Sequence, residues 1–428
     1  MDLRDARSRE ISPMNRETAV PKTAEYHAID PPEGSRTGPL VDDVAARTKI
    51  LEIEVLRAVA ILFVITAHSY NGLWWRPTPF ENSLSFAYGV DLFFCVSGFV
   101  IARSFYGPLS EAAATGGPVY WNAVAAFWIR RAYRIIPLAW LWLAIPLLMS
   151  VFFNRSGYSS HLLGNAGDSL SAVLNVYNFH AAHCVEQTKW CGPDTIYWSL
   201  SLEEQFYLVF PLLLLLPKRV MIAVLVAAIV WMMTRTMTTL AFMTRIDAIC
   251  LGVLIAFFKQ SSAYNSFTPV FLSHPIKRAT VAAILVAALA IVPGPGALVP
   301  AYTTMVTAVC GALVLIASYD RGFLMKPGLL RAALVWIGER SFALYLIHNP
   351  VTWFVHEMFD RIFPDQLPSD TMKVVIVLML ATLMLSISDL SFRYFETPLR
   401  RRGSRIAKAW MNRSGEPAAA ATAPAMGA

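Results

Sequence analysis

The sequence predicts an all-α membrane protein, a polytopic bundle of about ten transmembrane helices. Three observations lead there. Of 428 residues, 56% are hydrophobic and only 15% charged, a balance well to the apolar side of an ordinary soluble domain. The apolar residues fall in long runs, such as Ile136 to Phe153 and Val374 to Ile387 with its flanks, close to the ~18–20 residues that cross a bilayer. Charges, prolines and glycines gather between the runs, as they do at helix ends. The net charge of +7 fits basic residues in cytoplasmic loops and tails and does not call for nucleic acid.

Residues 1–47 are polar, charged and proline-containing, without the apolar stretch of a signal peptide; they are expected to be a disordered cytoplasmic extension. The membrane domain is expected over residues 48–402. Its spans begin near Ile50, Ser85, Ile136, Tyr197, Val220, Ile246, Lys277, Ala297, Leu334 and Lys373. Tyr120 to Arg134 is amphipathic and basic, so it is expected to lie along the membrane surface and lead into the third span. The Ala/Pro-rich residues 403–428 are expected to form a disordered cytoplasmic tail. A cytoplasmic N-terminus puts Arg130, Arg131, Arg134, Lys218, Arg219, Lys277, Arg278 and Arg331 on the inner side, as the positive-inside rule favours. An even number of spans then returns the C-terminus to the same side. The longest outer loop covers residues 154–196, and chemistry is expected within the bundle or this loop, because no soluble domain is expected after the last span.

Polar groups inside spans are costly in lipid and are the first candidates for function. The first helix reads LEIEVLRAVAILFVITAHSY, with Arg57 and His68 eleven positions apart. Eleven steps return to within about 20° of the start, so both side chains share one face, roughly 16 Å apart along the axis. Asp91 opens the second span, Glu203 and Glu204 lie near the outer end of the fourth, and Asp247 follows Arg245 at the start of the sixth. A histidine among carboxylates is what a general base needs, since a carboxylate orients the imidazole and stabilises its charged form. The plain alternatives are snorkelling of Arg57 and His68 and ion pairing of Arg245 with Asp247 or Glu204.

On the inner side, FWIRRAYRIIP sets Arg130, Arg131 and Arg134 before the third span. Arginine forks bind phosphate oxygens in pairs, so the cluster suits an anionic co-substrate, with the positive-inside signal as its plain alternative. In the ninth span Ser341, Tyr345 and His348 stand at i, i+4 and i+7, a polar stripe on an apolar helix. Cys184 and Cys191 share the outer loop, and in an oxidising compartment a disulfide between them is expected. His180, His183, Cys184 and Cys191 match zinc ligands by type, but adjacent His183 and Cys184 make poor ligand spacing, so no metal is expected.

Taken together these segments resemble the bacterial acyltransferase-3 membrane family, over roughly Ile50 to Arg402. The marks are Arg57 with His68, GVDLFF-x-x-SGF from Gly89, Arg131 and Arg134 before a proline, WSLSLEEQFY from Trp198, S-x-x-x-Y-x-x-H ending at His348, and E-x-P at Glu396. Phe342 stands where the family pattern has tyrosine, and the N-terminal extension lies outside it. The resemblance implies a ten-helix core in the bacterial inner membrane. It further implies O-acylation of a surface or periplasmic carbohydrate, with cytoplasmic acetyl-CoA or another acyl-CoA as co-substrate and no permanently bound cofactor.

The combined expectation is that Arg131, Arg134 and Arg130, with Arg57, hold the donor phosphates. His68, oriented by Glu203 or Asp91, acts on an acceptor hydroxyl as base or as transient acyl carrier, with Asp247, Ser341, Tyr345 and His348 in support. A secondary transporter or flippase using the same buried charges is the rival reading, and it would favour repeated halves and broken helices, neither of which the sequence displays.

Overall fold

In lipid a chain must satisfy its backbone polar groups within the segment, so long apolar runs fold as helices. The computed structural model describes residues 49–72, 84–157, 162–187, 195–291, 300–364 and 366–414. Among them no strand forms; one isolated antiparallel bridge joins Leu84 to Ile291.

The helices are α1 (Leu51–Gly72), α2 (Gly89–Thr115), α3 (Gly117–Phe152), α4 (Leu162–Val173), α5 (Tyr177–Glu186), α6 (Tyr197–Leu213), α7 (Lys218–Thr234) and α8 (Thr239–Met243). After them come α9 (Asp247–Lys259), α10 (Pro275–Ala290), α11 (Pro300–Ser318), α12 (Leu329–Glu339), α13 (Ser341–Ile362), α14 (Asp370–Ser391) and α15 (Thr397–Ser414). Among the described residues, four stretches are long and apolar enough to cross a membrane: Gly89–Thr115, Gly117–Phe152, Thr239–Lys259 and Asp370–Arg413. Outward-facing positions carry large apolar side chains, among them Trp140, Leu148, Val374 and Leu378, each more than half exposed. That is the surface of a protein whose solvent is hydrocarbon.

Three boundaries differ from the sequence expectation. Tyr120 to Arg134 is not a separate surface segment. It is the first part of α3, a continuous helix of 36 residues, about 54 Å long, with Tyr120, Val124, Phe127 and Arg131 buried against the bundle. The ninth span does not begin near Leu334. The chain breaks between α12 and α13 at Arg340, where Gly338 lies so close to the Glu54 carbonyl that a Cβ would stand 1.9 Å from it, and the Arg340 guanidinium is drawn to Asp389 at 2.7 Å. The tail is helical as far as Ser414, because Gly403 and Ala407 make a small-residue face for α15, buried where Gly403 meets Tyr133 of α3.

The centre of the bundle is set by α2 and α9. A Cβ on Gly98 would lie 2.1 Å from the Ile249 carbonyl oxygen, and one on Gly252 would lie 2.1 Å from that of Cys95. Each helix therefore offers a glycine where the other's backbone passes, the small-residue packing that holds membrane helices together. Between α3 and α6, the helices α4 and α5 are joined by Tyr177, whose hydroxyl donates to buried Asp168 at 2.9 Å.

Candidate active site

Two helices carry the polar line that the sequence separates by almost the whole chain. On α1, Arg57 donates from Nε to Ser341 Oγ of α13 at 3.2 Å. Further along both helices, the His68 ring meets the His348 ring at 5.0 Å between centroids, tilted by 58°. Low-numbered thus meets low-numbered and high meets high, so α1 and α13 run in the same direction.

Beside the Arg57–Ser341 end of this line opens a cavity holding about 800 Å³ outside protein atoms, open solvent included, lined by Arg57, Arg131, Arg134, Ser97, Ser199, Glu203, Tyr207, Ser341 and Tyr345 among others; His68 and His348 lie beyond its lining. The arginines come from α1 and α3. Arg131 lies over two rings, 4.7 Å from the centre of Tyr207 and 5.4 Å from that of Phe105, cation–π contacts that hold the guanidinium in place without spending its hydrogen bonds. Neither Arg131 nor Arg134 has a carboxylate within ion-pair distance among the described residues. Arg57 leans on Glu54 at 3.6 Å, and buried Glu396, bridged to Arg400 at 3.5 Å, is an electrostatic neighbour of Arg134 and Arg57. Guanidiniums with donors in hand have the chemistry to hold phosphate-type oxygens.

Next along the cavity, Ser97 of α2 and Tyr207 of α6 both donate their hydroxyls to Glu203 Oε1. Tyr207 therefore ties the carboxylate to Arg131, its ring under the cation and its hydroxyl on the acid. Beyond this lies Tyr345, whose hydroxyl donates to the Ile196 carbonyl at 2.7 Å. That uses its one proton, so Ser199 Oγ, 2.6 Å away, is the donor to Tyr345. The Tyr345 ring lies 5.9 Å from that of His348, which continues the line to His68.

Among the described residues neither His68 nor His348 has a carboxylate partner, which corrects the expectation that Glu203 or Asp91 orients His68. His68 Nδ1 lies 2.8 Å from the Val64 carbonyl of its own helix, and His348 Nδ1 lies 2.7 Å from that of Tyr345. A carbonyl only accepts, so each Nδ1 carries the proton and each neutral ring keeps its lone pair on Nε2. Asp91 is instead paired, fully buried, with Arg245, whose guanidinium also stacks on Phe242 at 4.1 Å. The alternative pairing of Arg245 with Asp247 or Glu204 is replaced by this one. Asp247 accepts from Thr307 at 2.7 Å, and neither Asp91 nor Asp247 lines the cavity. Arg130 is not among the lining residues either. Glu204 is buried beside Glu203, with Arg131 and Arg134 as electrostatic neighbours.

Of the other candidates, Ser341, Tyr345 and His348 all reach the line, where they meet Arg57, Ser199 and His68 in turn. Cys184 is buried, with its Sγ 3.6 Å from His180 Nε2, which also meets Asp168 at 2.8 Å; Cys191 lies outside the described residues. Ser97, Ser199 and Tyr207 were not singled out from the sequence, although Ser97 falls inside the SGF segment and Tyr207 stands four residues after Glu203, one turn along the same face.

Residues 50–392 match the model of an acyltransferase domain family, Acyl_transf_3. The chain belongs to the acyltransferase-3 family. It is 26% identical over 388 residues to the peptidoglycan O-acetyltransferase OatA of Listeria monocytogenes, covering 84% of this chain and 57% of that one. It is also 24% identical over 375 residues to the O-acetyltransferase OatA of Staphylococcus aureus (strain NCTC 8325), covering 82% and 57%. The chain thus spans a little more than half the length of these curated relatives. No solved structure matches.

Proposed function

We propose that the protein is a membrane O-acetyltransferase that moves an acyl group, acetyl first among them, from cytoplasmic acyl-CoA to a hydroxyl of a surface or periplasmic carbohydrate. The observation that carries this reading is the continuity of one polar line. It begins at guanidiniums with donors to spare, Arg131 and Arg134, passes Glu203 and Tyr345, and ends at an imidazole with a free basic nitrogen, His68. Membership of an acyltransferase family and relatives named as O-acetyltransferases support the reaction class and the carbohydrate acceptor.

Acyl-CoA is a co-substrate that supplies an activated thioester. Arg131, Arg134 and Arg57 suit its phosphates, since paired N–H donors match phosphate oxygens. His68 takes the proton of the attacking hydroxyl on Nε2, while the Val64 carbonyl holds Nδ1–H and so fixes the tautomer. His68 then returns that proton to the departing thiolate. Residence in the bacterial inner membrane with both termini cytoplasmic places the arginine end on the donor side and the histidine end on the acceptor side.

The test is made on the purified full chain in lipid nanodiscs. CoA should protect the protein against heat, and acetyl-CoA thioester should be consumed when a carbohydrate acceptor is present. In the living cell, NMR of the surface polysaccharide should show fewer O-acetyl groups in a deletion strain than in its parent. Absence of both thioester consumption and CoA protection would favour transport over acyl transfer.

A further inference from the structure

We propose that His68 and His348 form one site for a pair of neighbouring hydroxyls, so that the acceptor is a diol, one hydroxyl acylated at His68 while the other is held by His348. The inference rests on the acyl-transfer reading above and adds to it the hydroxyl pattern of the acceptor.

The argument starts from the hydrogen count of the two rings. Both Nδ1–H groups are consumed by carbonyls one turn back, Val64 for His68 and Tyr345 for His348. Each neutral imidazole then offers one lone pair and no further proton. The rings are 5.0 Å apart, yet neither can satisfy the other, because two acceptors do not bond. His348 is 1% exposed, and its Nε2 has no hydrogen-bond partner among the described residues. A buried acceptor left without a donor is costly, so a helix that retains one has a use for it.

Two adjacent acceptors select for a ligand with two adjacent donors. Carboxylates and phosphates, which only accept, are turned away from this end as firmly as the arginines at the other end attract them. An isolated hydroxyl satisfies one nitrogen and leaves the other bare. Neighbouring hydroxyls on one carbon framework satisfy both, and carbohydrates carry them.

In the reaction, the hydroxyl at His68 loses its proton to Nε2, its oxygen forms the new bond to the acyl carbon, and the carbon–sulfur bond breaks. The thiolate leaves with the proton that His68 received. The second hydroxyl keeps its proton throughout and donates it to His348 Nε2, fixing which oxygen faces the thioester.

The test uses the full chain in nanodiscs with acetyl-CoA and two matched probes, trans-cyclohexane-1,2-diol and trans-2-methoxycyclohexanol. The ether keeps the second oxygen and adds one methyl group, and that oxygen cannot donate. The wild type should acetylate the diol with kcat/KM about tenfold or more above the ether. His348→Phe, which keeps a ring in the packing, should bring the ratio of diol to ether down to about one, and His348→Gln, whose side-chain oxygen can accept near the Nε2 position, should restore part of the preference. Equal wild-type rates on the two probes would overturn the diol site while leaving acyl transfer standing. So would a His348→Phe variant that loses activity on both probes in proportion, since a purely structural role acts that way. Transfer to neither probe, with acetyl-CoA left intact, would overturn the acyl-transfer reading and this inference with it.

Discussion

The rings of His68 and His348 lie 5.0 Å apart, and each is held by a carbonyl of its own helix. Both imidazoles are therefore aimed by local backbone geometry. An i−4 or i−3 carbonyl in a helix is as rigid an orienting group as a carboxylate and adds no second charge to a low-dielectric site. Glu203 is thereby released for another task, receiving the Ser97 and Tyr207 hydroxyls at the middle of the cavity.

Replacing His68 by alanine should leave the protein in the membrane and lower acetyl transfer by about a hundredfold or more, the usual worth of a general base. The comparison is transfer of labelled acetyl from acetyl-CoA to a carbohydrate acceptor at matched amounts of protein. Full transfer by His68→Ala would remove the histidine from the chemistry.

Arg131→Ala and Arg134→Ala should each raise the KM for acetyl-CoA by about tenfold or more, because a charge-assisted bond to phosphate contributes about 1.5–3 kcal/mol. Protection against heat by CoA should shrink in parallel. Tyr207→Phe keeps the ring under Arg131 and should change KM less than Tyr207→Leu does. Equal KM values for the two tyrosine variants would show that the ring does not position the arginine.

Asp91 and Arg245 form a buried pair, so removing one partner strands the other's charge. Arg245→Met alone should destabilise the protein by about 3–5 kcal/mol, whereas the double variant Arg245→Met with Asp91→Leu should recover much of the loss. Thermal unfolding in detergent would read the stability. Acetyl transfer by the folded double variant would establish that Asp91 is a structural residue, and its complete inactivity would return Asp91 to the catalytic group.

Gly98→Ala and Gly252→Ala each put a methyl group where the facing backbone oxygen stands 2.1 Å away. Helices α2 and α9 must then separate, at a cost of about 1–3 kcal/mol. Lower unfolding temperatures for both, against little change for Gly107→Ala, which meets nothing nearby, would confirm the close seam. Unchanged stability in all three would mean that the helices do not pack this tightly.

Much of this architecture was legible in one dimension because lipid imposes a simple rule. Long apolar runs must become helices, and ionisable groups inside them stand out. Arg57, His68 and the stripe of Ser341, Tyr345 and His348 were visible as polar positions on helix faces, since helical periodicity depends on sequence alone. Boundaries set by packing were not visible: the Arg340 break depends on Gly338 fitting against Glu54 and on Asp389, and the helical tail depends on Gly403 meeting Tyr133.

Which residues could carry charge or a proton was thus written in the sequence, but which of them meet was a property of the bundle. Asp91 and Glu203 were equal candidates for His68 while only their types and depths were known. The α2–α9 seam carries Asp91 to Arg245, the turn of α6 puts Glu203 under Tyr207 and Ser97, and the parallel run of α1 and α13 brings His68 to His348. Periodicity reports the face on which a side chain lies. The neighbour across that face is set by how the helices pack, through contacts between residues as far apart in the chain as Arg57 and Ser341.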